Sequence, residues 1–206
     1  MSETQVKAQV IAGWARVSIQ MLEDIPQLQS FLSYRLNENL LVQEDFQILS
    51  GNGFDPNLPG LLLAANHTVK TGSATIFVEQ LVQAVGQLAS IGRRASAIIV
   101  NPTDFYAMMI LKGTTNDYTN PVVIQVTQGG GITLLGIPII WSAAITATNY
   151  LVGDFTHGAA LYYRSQPIIQ AFYQDGNNVQ NNMVTVRIEE RVCMPVYSSA
   201  AFIYPS

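Results

Sequence analysis

The chain has 206 residues, a length that suits one domain or two interleaved lobes and is enough to bury a sizeable core. Hydrophobic residues make up 49% and charged residues only 12%, about half the charged share of ordinary soluble domains, which favours broad subunit contacts over a freely solvated monomer. The formal net charge is −4 and the ten lysines and arginines are spread along the chain, which excludes a basic stripe for gripping nucleic acid.

Val6 to Ser18 reads as a strand, with Val10, Ile11, Trp14 and Val17 among small residues. Glu23-Asp24-Ile25-Pro26 marks a helix start, with acids in or just before the first turn and proline where its missing N–H is not needed. Leu28, Phe31, Leu32, Leu36, Leu40, Phe46 and Leu49 follow mostly at three- and four-residue steps, predicting one apolar face. That helix would run about 24 residues, roughly 36 Å, long enough to act as a strut. Gly51 is expected to close it in the left-handed conformation.

Asp55 to Gly60 is a turn-rich hinge and the candidate lobe boundary. A second helix fits Ser73 to Ile91, with Ser73 as N-cap, Val78, Leu81, Val85 and Leu88 on one face, and Gly92 at its end. Ala97-Ile98-Ile99-Val100 is the fully apolar run of a central strand. Asn101-Pro102-Thr103-Asp104 then gives an N-cap, a proline at the first helical position and a first-turn acid. Phe105, Met108, Met109 and Lys112 carry that helix to Gly113.

Beyond it, Val122–Val126, Ile137–Trp141, Tyr150–Phe155 and Ala200–Tyr204 read as strands, Gly129-Gly130-Gly131 as a flexible tip and Gln174–Gln180 as a polar loop. From Asn182 to Arg191 the pattern alternates, with Val184, Val186 and Ile188 on one face and Thr185, Arg187 and Glu189 on the other.

Catalytic signals are sparse. Two histidines, His67 and His157, and one cysteine, Cys193, do not make an ordinary zinc site, and no cofactor or metal is expected. A single cysteine also rules out an intramolecular disulfide and fits a reducing cytosol. Cys193 in an apolar strand reads as core rather than nucleophile, and Gly129–Gly131 lacks the lysine of a phosphate loop. Asp154 after a strand reads as a turn cap, and Arg93-Arg94 as a solvated pair. A small α/β hydrolase or transferase is the alternative from another class; it requires Asp154, His157 and Cys193 to converge in one pocket. The start Met1–Gln5 is polar and acidic, so no signal peptide is expected. The most apolar run, Ile132–Ile145, is broken by Thr133, Pro138 and Ser142 and falls short of the about 20 residues a bilayer needs, so a soluble chain is expected.

Five segments in order carry a resemblance. They are Trp14-Ala15-Arg16-Val17-Ser18 leading to Leu22-Glu23-Asp24, Val100-Asn101-Pro102-Thr103-Asp104, Leu134-Leu135-Gly136-Ile137-Pro138, Tyr150-Leu151-Val152-Gly153-Asp154-Phe155, and Asn182-Met183 through Glu189-Glu190-Arg191. The sequence resembles the tailed-bacteriophage major capsid protein, whose fold is shared with encapsulins. The resemblance implies an α+β fold with a long spine helix, an elongated peripheral lobe and a compact axial lobe of mixed sheet flanked by helices. Residues 1–50 and 155–192 would form the peripheral lobe. Residues 51–154 would form the axial lobe, rejoined by a C-terminal segment, 193–206.

The function so implied is a structural, non-enzymatic subunit of an icosahedral viral (prophage) capsid, forming pentamers and hexamers that enclose DNA. Its partners would be identical copies, with scaffolding and portal proteins, without sequence-specific nucleic-acid or membrane binding. It would be made in the bacterial host cytoplasm and reside in the virion. An encapsulin-type compartment shell is the alternative on the same fold. One family member welds its shell with lysine–asparagine isopeptide bonds assisted by a glutamate, and Asn182 and Glu189 match the asparagine and glutamate positions. On one regular strand those two would face opposite ways and act only across subunits. Most relatives do not crosslink, and a structural asparagine and a paired surface glutamate are the expectation here. The family's N-terminal arm and lysine-bearing extended loop have no counterpart, which implies a truncated form, a prophage remnant or a minimal variant.

Overall fold

The computed structural model describes residues 5–110, 124–126 and 131–205. In chain order the first elements are β1 (Gln9–Ser18), α1 (Ile19–Asp24), α2 (Pro26–Ser50), β2 (Thr68–Val69), α3 (Phe77–Ser90), β3 (Ala97–Val100) and α4 (Pro102–Met109). They are followed by β4 (Ile124–Val126), β5 (Ile132–Leu134), β6 (Ile137–Trp141), β7 (Tyr150–Gly153), β8 (Tyr162–Phe172), α5 (Asn178–Asn181), β9 (Met183–Cys193) and β10 (Phe202–Tyr204).

The alternation in β9 decides the first half of the architecture. Strand β9 lies between β1 and β8, antiparallel to both, with Gln9 opposite Val192 and Ser18 opposite Met183. Val186, Ile188 and Val192 turn to one face and pack with Ile11, Leu58 and the α2 residues Leu36 and Leu40. On the other face Arg187 and Glu189 stay partly exposed, but Thr185 is buried. Its hydroxyl donates to Asp175 (2.8 Å) and accepts from Asn178 (2.8 Å), because α5 and the turn before it fold over this end of the sheet. The expected polar loop at 174–180 therefore contains a short helix.

The second sheet has seven strands in the order β2-β10-β7-β3-β6-β5-β4. Strand β3 is central, antiparallel to β7 and parallel to β6. Leu81, Ala84 and Leu88 of α3, with Phe105 and Met108 of α4, cover one face over Ile98, Val100, Tyr150 and Val152. Leu49, Leu61, Ile145, Met194 and Phe202 cover the other face over Leu151. Two covered faces explain why β3 and β7 read as unbroken apolar runs rather than alternating ones.

Several expectations change in detail. Helix α2 starts at Pro26 and runs 25 residues, but Glu23 and Asp24 belong to α1, leaving no acid in the first turn of α2. Its apolar residues are not confined to one face: Leu36, Leu40 and Leu49 are buried, whereas Phe31, Tyr34, Leu41, Val42 and Phe46 are exposed. Gly51 ends the helix with φ −57°, not left-handed; the glycine is needed because a Cβ there would lie 2.2 Å from the Leu58 carbonyl oxygen. Helix α3 begins at Phe77, not Ser73. Ile76 before it is extended, the Gln80 side chain donates to the Ala74 carbonyl, and Glu79 supplies the first-turn acid. Gly92 does adopt positive φ, at 77°. Val122, Val123, Lys112, Gly113, Gly129 and Gly130 lie outside the described residues.

The N-cap of α4 is present as read. The Asn101 Oδ1 accepts from the Thr103 N–H (2.9 Å), and its Nδ2 donates to the Ile145 carbonyl (2.6 Å). Asn101→Ala removes both bonds and is expected to lower stability by about 1–2 kcal/mol, measurable as a shift in the urea midpoint. An unchanged midpoint would show that the cap is dispensable.

Candidate functional site

Asp154 follows the last residue of β7, where the chain turns out of the sheet. Its carboxylate accepts from the backbone N–H groups of Thr156 and His157 (both 3.2 Å), and the His157 Nδ1 lies 3.2 Å from Oδ2. Arg93 Nη1 approaches Oδ2 at 3.9 Å, so the Arg93-Arg94 pair is not simply solvated. These groups line a cleft of about 750 Å³ together with Ser96. The Ser96 hydroxyl is occupied, donating to the Gly153 carbonyl (3.3 Å) and accepting from the Phe155 N–H (2.8 Å). The structure thus brings Asp154 and His157 together as a turn cap, while Cys193 stands at the end of β9 opposite Tyr162 and does not line the cleft. The convergence a nucleophilic hydrolase needs is missing. Among the described residues no group of three or more His, Cys, Asp or Glu is placed to hold a metal ion. Nor is any of their helices long and apolar enough to cross a membrane.

Asn182 is not on the strand. It caps α5 in the left-handed conformation (φ 52°, ψ 47°), and its carbonyl accepts from the Ile19 N–H (3.1 Å). Glu189 is on β9 and pairs with Arg187 Nη2 at 2.7 Å; the Arg187 guanidinium also lies 5.0 Å from the centre of the Phe172 ring. This face of the sheet forms an open groove of about 810 Å³ that includes Trp14, Arg16, Phe172, Asp175 and Arg187.

Two glutamates went unnoticed in the sequence. Glu190 and Glu44 are both buried, at 1% and 5% exposure, between β9 and α2. The signal was available: Glu190 has the same parity as Val184, Val186 and Ile188, and Glu44 follows Leu36 and Leu40 at four-residue steps.

The surface itself is the broadest functional feature. On α2 and the three-stranded sheet, Phe31, Phe46, Trp14, Tyr162, Ile168 and Phe172 are all exposed. A surface of this apolar character suits contact with other protein chains.

The model of the phage capsid family matches residues 1–206. The chain belongs to the phage capsid family. The major capsid protein of Enterobacteria phage HK97 is 28% identical over 204 residues, covering 98% of this chain and 52% of the relative. The chain thus spans about half the length of that curated relative. Among solved structures, the capsid of an empty GTA particle superposes with a TM-score of 0.72 at 17% identity, over 97% of this chain and 72% of the other. Gordonia phage Cozz gives a TM-score of 0.73 at 15% identity, over 98% and 70%. The mixed α+β arrangement of this phage capsid chain is therefore that of the capsid fold.

Proposed function

We propose that the chain is a non-catalytic structural subunit of an icosahedral phage capsid, assembling with copies of itself into pentamers and hexamers around DNA. The family match over the whole chain carries this reading, and the uncovered apolar surface supports it. Heterologous contacts that close into rings are the economical way to cover such a surface. The virion is its destination and the bacterial cytoplasm its place of synthesis, with scaffolding and portal proteins as further partners.

In this reading residues 1–50 and 155–192 form the peripheral lobe, since β1, β8 and β9 form one sheet and α2 packs with β1 and β9 in one core. Residues 51–154 and 193–206 form the axial lobe around the seven-stranded sheet. Asn182 and Glu189 serve structure, the first by its left-handed cap and the second by its pair with Arg187.

Light scattering with negative-stain images of the same fractions tests the proposal. Rings, tubes or shells of many copies are expected. A clean 22.5 kDa monomer at every concentration would count against self-assembly by this chain.

A further inference from the structure

Helix α2 meets the three-stranded sheet through an apolar layer, and two positions in that layer hold glutamates. Glu190 points the same way as Val186, Ile188 and Val192, and neither of its carboxyl oxygens has a hydrogen-bond partner. Glu44 sits one turn beyond Leu40 and accepts a hydrogen bond from the Tyr163 phenol of β8.

The groups facing this pair are few. From α2 come Glu44 and its neighbour Asp45, and from β8 Tyr163, whose phenol feels Glu44, Glu190 and Asp45. Strand β1 places Ile11 opposite Glu190, and on β9 itself Glu189 and Arg191 point to the other face by parity. Among the described residues no ion pair reaches Glu44 or Glu190. Two ionised carboxylates here would repel one another in a medium that solvates neither.

We propose that Glu190 is a proton-operated latch between α2 and the sheet: neutral, it lets the layer close over Glu44, and ionised, it loosens α2 from β9. Burial, and secondarily the Glu44 charge, pushes the Glu190 carboxyl up to about 7. Tyr163 is pushed upward by burial and by its bond to Glu44, so it stays a neutral donor throughout. Because the folded value of Glu190 is raised, its share of stability is complete below the ordinary carboxyl value near 4.5 and is lost as pH rises through about 7. The latch lies inside one chain and does not depend on whether copies assemble.

The test is urea unfolding of the full chain from pH 5 to pH 8.5, for the wild type and for Glu190→Gln, which is neutral at every pH. The folding equilibrium constant of the wild type is expected to fall about tenfold or more across that range relative to the variant. Glu44→Gln removes the neighbouring charge, which lowers the folded value of Glu190, and is expected to make the fall smaller and end it at a lower pH, because ionised Glu190 then meets less repulsion. Hydrogen exchange of the wild type alone keeps the question open to refutation if a variant fails to fold. Corrected for intrinsic rates, α2 should exchange faster at pH 8 than at pH 6, while α3 does not change. Parallel pH profiles for wild type and Glu190→Gln, or an α2 that exchanges equally at both pH values, would overturn the latch.

Discussion

Gly60→Ala is expected to destabilise the fold by about 3 kcal/mol or more, with Gly51→Ala close behind, because each puts a Cβ into backbone rather than into yielding side chain. The last carbonyls of a helix need partners, and here the following loop supplies them. Leu61 and Leu62 donate to the carbonyls of Ile48 and Leu49 (both 2.9 Å), and Gly60 donates to Gly51 (2.9 Å). That lacing holds two backbones so close that a Cβ on Gly60 would lie 2.4 Å from the Gly51 nitrogen and 2.5 Å from the Leu49 oxygen. A Cβ on Gly51 would lie 2.2 Å from the Leu58 oxygen. Relief requires breaking the bonds that end α2 and releasing Leu58, which is fully buried against Leu36 and Leu40. Gly86 is the internal comparison: it lies within α3 and a Cβ there meets nothing within 4 Å. Gly86→Ala should be neutral or stabilising by up to about 1 kcal/mol through helix propensity. Urea midpoints of the three variants decide; a loss below about 1 kcal/mol for Gly60→Ala would mean that the loop yields easily.

Elements written by local rules were readable in the sequence, and those written by tertiary neighbours were not. Pro26, Asn101-Pro102 and Gly92 act on their own turns, so the starts of α2 and α4 and the end of α3 fall where the residues place them, whereas α4 ends at Met109 rather than at Gly113. The unbroken apolar runs of β3 and β7 likewise announce strands covered on both sides. Gly51 misled because close approach and positive φ both select glycine, and only the neighbouring Leu58 carbonyl distinguishes them. Ser73 misled because a good capping residue does not act as one when the helix begins only at Phe77, after an extended Ile76. At the site, Asp154 was read correctly as a cap because its partners are its own next residues. Asn182 was placed on the strand because nothing in its neighbours reveals the left-handed turn that begins β9. Glu190 escaped notice because a charge is read as solvent-facing unless strand parity is carried past it to Val192.

Phe202→Ala is expected to lower stability by about 3–5 kcal/mol, the range for emptying an aromatic site that cannot collapse. The ring is fully buried and packs edge-on against Phe155, with centroids 5.3 Å apart. It lies over two glycines that exist to admit it: a Cβ on Gly153 would come within 2.4 Å of the ring, and one on Gly158 within 2.8 Å. Backbone on that side is fixed by the β10–β7 pairing, in which Phe202 faces Gly153, and by the Asp154 N–H bonded to the Ala201 carbonyl (2.9 Å). The space left by alanine therefore stays open. The loss should also propagate, because β10 joins β2 to β7, and the edge of the seven-stranded sheet depends on it. Phe54, which is mostly exposed, provides the contrast, and Phe54→Ala should stay within about 0.5 kcal/mol of wild type. Thermal and urea unfolding of both variants test the contrast. If Phe202→Ala loses less than about 1.5 kcal/mol, the C-terminal strand is not a closing element of the larger sheet, and its assignment to the axial lobe loses its physical basis.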